Sequence, residues 1–242
     1  MPKPELVLSN TTTFFTGRME SLFKKAKKYG FKYLEIIPYR WTTPEEILAL
    51  EKKYQIQVAG IHMPLWWNKP PLGIINSIFQ FYLGAAANSP GLAIAKALAE
   101  RKPYLLLHAD LMDQMGNQVR TLSEQFHVLA ENVPYQKNAP RYYWDPAAIP
   151  SQFQTGLVFD PGHYKKSALI VPGLDILEAY RKTAPEVVHI SYKDPRHTLP
   201  NKEEREELRQ MLSIHYPRYL VLETNPVVSV KKGKVLLEEL IR

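Results

Sequence analysis

Six successive apolar runs in this chain end in a histidine or a carboxylate. "GIHMP" ends on His62, "LLLHAD" on His108 and "LAENVP" on Glu131; "GLVFDPGH" ends on Asp160, "VVHISYKD" on His189 and "LVLETNP" on Glu223. His163 stands just beyond Asp160, and Asp194 and His197 just beyond His189. A single histidine at a strand end is usually a satisfied core residue. A carboxylate there is costly to bury unless something pairs with it. Brought to one mouth, these imidazoles and carboxylates would repel one another or leave polar atoms stranded. A divalent cation removes that conflict, because imidazole and carboxylate are ordinary ligands of Zn²⁺, Mn²⁺ and similar ions. The spacing therefore predicts a metal centre, with Asp160 as one of its ligands.

The elements that must carry these residues alternate. Strands are predicted at "LVLS", "KYLEII", "QVAGIH", "YLLLH", "HVLAE", "GLVFD", "EVVHIS" and "RYLVLE". Amphipathic helical patterns lie between most of them. In "GRMESLFKKAKKYG", Met19, Leu22, Phe23 and Ala26 share a face and Gly30 stops the helix. In "TPEEILALEKKY", Thr43 caps, Pro44 fills the first turn and two glutamates sit at the positive end of the helix dipole. A helical region is expected from about Gly73 to Arg101, broken near "NSPG". The stretch "PYQKNAPRYYWDPAAIP" reads as a loop with at most one helical turn, and Pro161-Gly162 as a turn that presents His163. Near-continuous apolar strands alternating with helices belong to a parallel sheet buried on both faces. Eight β/α units in 242 residues match an α/β (β/α)8 TIM barrel, a single domain over residues 1–242. A doubly wound open sheet is the alternative, but no glycine-rich phosphate loop follows the first strand. In such a barrel, chemistry sits at the C-terminal ends of the strands, where the six polar tips lie.

Bulk properties narrow the chemistry further. The chain has no cysteine, so any cation must be held by histidine and carboxylate. No secretion signal and no apolar run long enough to span a bilayer is expected, and a cytoplasmic location suits a chain without disulfides. The longest apolar stretch, Leu72 to Ala87, is interrupted by Asn76, Ser77 and Gln80 and reads as a packed helix. The net charge of +7 suits phosphorylated or polyanionic partners. The lysines are scattered over helix faces, however, and do not by themselves indicate nucleic-acid binding. The aromatic segments "PLWWNKPP" and "PRYYWDP" would serve a sugar ring and an unstacked base equally.

Taken in order, "YLEIIP", "GIHMP", "LLLHAD", "LAENVP", "VFDPGH", "VHISYKD" and "LVLETNP" resemble the strand signatures of the xylose isomerase-like TIM barrels, from about Leu6 to Pro226. That superfamily includes sugar isomerases and epimerases, hydroxypyruvate isomerase-like enzymes, inosose dehydratases and AP endonucleases of the endonuclease IV type. For its sugar-acting members, the resemblance implies one divalent metal (Mn, Co, Mg or Zn) held by Glu131, Asp160, His189 and Glu223. Glu131 and Glu223 would also move a proton beside a carbonyl, and His163 would hydrogen-bond the substrate. His62, His108, Trp66 and Arg196 would bind it. For the AP endonucleases, it implies three zinc ions, with His62, His108, His163, Asp194 and His197 joining the four ligands. Here the chain departs from the pattern. "DPRH" places Asp194 three residues before His197 rather than two, and the segment after His189 is shorter. The expected function is therefore a metal-dependent isomerase or epimerase of a sugar or sugar phosphate. The alternative is an AP endonuclease-like phosphodiesterase acting on nucleic acid. No membrane partner is expected, and an oligomer is compatible with the sequence. Glu35, inside the second strand, is expected to be a buried, paired residue.

Overall fold

The computed structural model describes residues 2–13, 18–63, 90–193 and 196–242. Eight parallel strands close into a barrel in chain order: β1 (Glu5–Ser9), β2 (Tyr33–Ile36), β3 (Gln57–His62), β4 (Tyr104–His108), β5 (His127–Glu131), β6 (Gly156–Phe159), β7 (Val187–Ile190) and β8 (Tyr219–Leu222). β8 pairs back onto β1 through Val7↔Val221. The described helices are α1 (Met19–Tyr29), α2 (Pro44–Tyr54), α3 (Pro90–Ala97), α4 (Ala109–Met115), α5 (Asn117–Gln125), α6 (Arg141–Trp144), α7 (Ile149–Phe153), α8 (Pro161–Ala168), α9 (Ile176–Thr183), α10 (Lys202–Ile214) and α11 (Val230–Leu240). Short 3-10 turns cover Asn10–Thr12 and Ala99–Arg101. The predicted helix at Leu72–Ala87, and most of the helical region from Gly73, lie outside the described residues. Among the described residues, no helix is long and apolar enough to cross a membrane.

Local sequence sets the helix ends. Gly30 adopts φ 73° and ends α1, a conformation open to glycine without steric penalty. Thr43 caps α2 through a 3.2 Å bond from the Glu46 amide. Asn201 and Glu204 form a reciprocal capping box at the start of α10. Two expectations need correction. Pro161-Gly162 is no turn: Asp160 Oδ1 accepts the His163 amide at 2.8 Å, so Asp160 caps α8 and Pro161 opens it. The Tyr-rich stretch after β5 holds two short helices, α6 and α7, rather than one turn. In addition, α4 begins directly after His108, where only the strand tip was foreseen.

The core has two layers. A large apolar cluster fills the shell between strands and helices. A smaller one fills the barrel interior: Val7, Ala59, Tyr104, Leu106, Leu129, Val158, Val187, Tyr219 and Val221. Alternate residues of a strand share a face. Two positions beyond Leu106, Leu129, Val158, Val187 and Val221 come His108, Glu131, Asp160, His189 and Glu223. The polar tips are thus the top layer of the barrel filling, aimed into the mouth. β3 reaches the same result by another route. Leu34 pairs with Val58 and Glu35 with Gly60, which leaves Ala59 as an extra residue. The bulge shifts the phase by one. Ile61 packs in the outer shell and His62 turns inward, where simple alternation from Ala59 would have done the reverse.

Candidate metal centre

Two groups of side chains converge at the C-terminal mouth. His62, His108 and Glu131 form one, and Glu131, Asp160, His189 and Glu223 the other. Within each group, one ligand atom per residue lies within 4.8 Å of the rest. Glu131 belongs to both. Strand register brings His108 beside Glu131, because the two are direct partners across β4 and β5. His108 Nε2 is 3.1 Å from Glu131 Oε2 and 3.3 Å from His62 Nε2. On the other side, His189 Nδ1 is 3.1 Å from Glu131 Oε1 and 2.8 Å from Glu223 Oε2.

All of these side chains but His108 are buried, and apart from the His62–His108 contact their atoms are close without bonding one another. Both oxygens of Glu131, Asp160 Oδ2, His189 Nδ1 and His62 Nδ1 lack a hydrogen-bond partner. His189 Nδ1 approaches two carboxylates yet meets neither in the direction a hydrogen bond needs. Buried polar atoms are rarely left in that state. Nitrogen and oxygen lone pairs aimed at a common point rather than at each other are what a coordinated cation requires. The donor set of imidazole and carboxylate suits Zn²⁺, Mn²⁺ or Co²⁺.

Electrostatics tie the group together. Burial resists charge on Glu131, but His189 and His108 outweigh it and hold its carboxyl well below the usual range. Burial likewise opposes a proton on His189, while Glu35, Glu131 and Glu223 together hold that imidazole above its usual value. For Asp160, burial dominates, helped by Glu131 and Glu223, and pushes the carboxyl up to about 6. Asp160 is fixed from outside the cluster as well. Asn132 Oδ1 accepts the Asp160 amide at 2.9 Å, and Asn132 Nδ2 donates to the Asp160 carbonyl at 3.0 Å.

His163, on the first turn of α8, stands beside the second group. Its Nδ1 is 2.8 Å from the Asn132 carbonyl, 3.8 Å from Glu131 Oε1 and 3.9 Å from Asp160 Oδ2. A proton on Nδ1 directed to that carbonyl places the ring's lone pair on Nε2. The His197 ring stands 6.4 Å from that of His163, and His197 Nδ1 meets Ser191 Oγ at 2.7 Å. Neither residue falls in a cluster of described ligands. Arg196 is exposed. Trp66 and Asp194 lie outside the described residues. Glu35 is fully buried, as expected, and its partners are Tyr104 and His189. Nothing in the local sequence marks the part played by Asn132 or Tyr104, since each acts on residues far along the chain.

No protein-family model and no curated protein matches the chain. Solved structures do. An AP endonuclease, family 2, from Brucella melitensis superposes with a TM-score of 0.66 at 16% identity, covering 98% of each chain. A probable 3-DHS dehydratase, AsbF, from Bacillus anthracis gives 0.56 at 12% identity, covering 98% of this chain and 97% of its own. A sugar phosphate isomerase/epimerase from Parabacteroides distasonis gives 0.54 at 12% identity, covering 99% of this chain and 94% of its own. The chain has the fold that these structures share, a closed eight-stranded parallel barrel.

Proposed function

We propose that the chain is a metal-dependent enzyme whose centre holds two divalent cations with Glu131 shared between them, and that it hydrolyses a phosphoester. One observation carries this reading: the two ligand clusters meet at a single carboxylate. One cation would need only the second cluster, which would leave His62 and His108 without a ligand role, their ring nitrogens 3.3 Å apart and bonded to each other. Held by these residues, a pair of adjacent cations would supply charge for the attacking and the leaving oxygen of a phosphoryl centre. The rest falls to the protein. Glu131, Asp160 and Glu223 offset the positive charge and fix the geometry. His163 Nε2, oriented by the Nδ1 contact to Asn132, can hold or give up a proton at the leaving oxygen. The +7 charge favours a phosphorylated substrate over a neutral one. This order reverses the sequence expectation, which placed sugar isomerisation first.

Isomerisation or epimerisation of a sugar or sugar phosphate is the second reading, and the placement of Glu131 and Glu223 favours it. Both reach His189 Nδ1, from β5 and from the end of β8. Two carboxylates on either side of a substrate carbon could remove and return its proton. The experiment is a parallel assay of cation-loaded protein on bis(p-nitrophenyl) phosphate, an abasic-site duplex and a panel of ketoses and their phosphates. Phosphoester cleavage that Glu131→Gln abolishes supports the first reading. Proton exchange into solvent without cleavage supports the second. Silence on all substrates, with cations bound, would refute both.

A further inference from the structure

Glu35 lies below the mouth, fully buried, and touches a histidine of each cluster. Its Oε2 accepts the Tyr104 hydroxyl at 2.7 Å and lies 3.0 Å from His189 Nε2. Its Oε1 faces His62 Nδ1 at 3.8 Å, and each of those two buried atoms has no other partner. A gap that short leaves no room for water. A small closure makes it a hydrogen bond. We propose that Glu35 is a positioning residue common to both cation sites: it keeps the proton of His189 on Nε2 and that of His62 on Nδ1, so that His189 Nδ1 and His62 Nε2 offer lone pairs upward. The inference rests on the two-cation reading.

The reason is proton bookkeeping. A neutral imidazole carries one proton on two nitrogens. His189 is fully buried, so an Nε2–H without Glu35 would be stranded. The proton would move to Nδ1, where Glu131 and Glu223 could accept it, and the lone pair needed for a cation would be lost. A partner on the far nitrogen is how metal-ligating histidines are usually oriented. Here one carboxylate does this for two of them. Its own position is fixed by Tyr104, whose ring occupies the space beside Gly60. A Cβ at Gly60 would run into the Tyr104 ring.

Two substitutions separate this role from general packing. In Glu35→Gln, the amide oxygen can replace Oε2 and still accept from Tyr104 and His189. The amide nitrogen then donates toward His62 Nδ1, forces the His62 proton onto Nε2 and closes the first site alone. In Glu35→Met, neither histidine keeps an acceptor. Cation-stripped protein is titrated with Co²⁺, read by its visible absorption and by bound metal per chain, and the imidazole nitrogens of the stripped protein are read by ¹⁵N NMR. Glu35→Gln should weaken one Co²⁺ site roughly 10- to 100-fold and spare the other, and Glu35→Met should weaken both by that factor. At a pH high enough that His189 has given up its second proton, NMR should show His189 Nδ1 as unprotonated nitrogen in wild type and in Glu35→Gln. Tyr104→Phe, which removes a hydroxyl bonded to Glu35 and to neither ligand histidine, should weaken both sites by a smaller factor, and it decides the matter if the Glu35 variants do not fold. Unchanged Co²⁺ affinities in the variants, or an equal loss at both sites that simply tracks melting temperature, would overturn the inference while leaving the metal reading intact. Wild-type protein that takes up no Co²⁺ would overturn both.

Discussion

Replacing Glu131 with glutamine removes the one carboxylate that both clusters share, and the size of the effect follows from cation-dependent stability. A ligand that binds only the folded chain stabilises it by about 2.7 kcal/mol when present at 100 times its dissociation constant. For a chain of 242 residues, each kcal/mol corresponds to about 2–4 °C in melting temperature, so each occupied site should raise it by about 5–11 °C. Glutamine keeps the shape of the side chain and one carbonyl oxygen but loses the charge and the second donor. A 100-fold weaker site at the same cation concentration contributes only about 0.4 kcal/mol, or about 1–2 °C. The loss should strike both sites, because Glu131 faces His108 on one side and His189 on the other. The assay is thermal or urea unfolding of chelator-stripped protein, repeated with Zn²⁺ at a fixed multiple of the wild-type dissociation constant. If Glu131→Gln gains as much stability from Zn²⁺ as wild type does, the carboxylate is not shared and the two-cation centre is refuted.

Other outcomes are expected alongside it. His108→Ala removes a ligand of one cluster only, so about half of the Zn²⁺-dependent rise in melting temperature should remain; complete loss or no loss in the same scan would contradict the partition. Against burial, neighbouring carboxylates hold His62, His163 and His189 above the usual imidazole value. In cation-free protein, their protons contribute stability that is complete below about pH 6.5 and lost as pH rises through their folded values. Zn²⁺ must displace protons from His62 and His189, so urea unfolding from pH 6.5 upward should show cation-free stability falling while the Zn²⁺-dependent gain grows. Parallel slopes would refute this. Gly60→Ala should destabilise by about 1–3 kcal/mol through overpacking against Tyr104, read by urea midpoint, and an unchanged midpoint would mean the ring is free to move. At the opposite end of the barrel, His127 and Glu186 pair at 2.9 Å, both partly exposed. His127→Ala should change stability by less than about 1 kcal/mol and leave Zn²⁺ uptake unaltered.

Much of the barrel was legible because parallel strands are short, apolar and bounded. β3, β4 and β5 begin and end at the residues their patterns mark. The convergence of Glu131, Asp160, His189 and Glu223 was legible for a related reason: each follows an interior apolar residue by two, and a period of two needs no tertiary information. Other features depended on contacts between distant residues. Tyr104 and Glu35 are 69 positions apart, and nothing near either one announces the other. Asp160-Pro161-Gly162 carries turn chemistry and cap chemistry at once, and only the amide of His163 decides between them. Whether His62 faced the lumen or the outer shell turned on one unpaired residue in β3.

That unpaired residue has a consequence for reading or altering such chains. Were β3 to pair evenly through Ala59, with no residue left out of the ladder, every letter of "GIHMP" would survive. The phenyl-free, branched side chain of Ile61 would then line the cavity and the imidazole would meet the surrounding helices. A signature preserved letter for letter would no longer supply its donor, so the spacing that precedes a motif can matter as much as the motif itself.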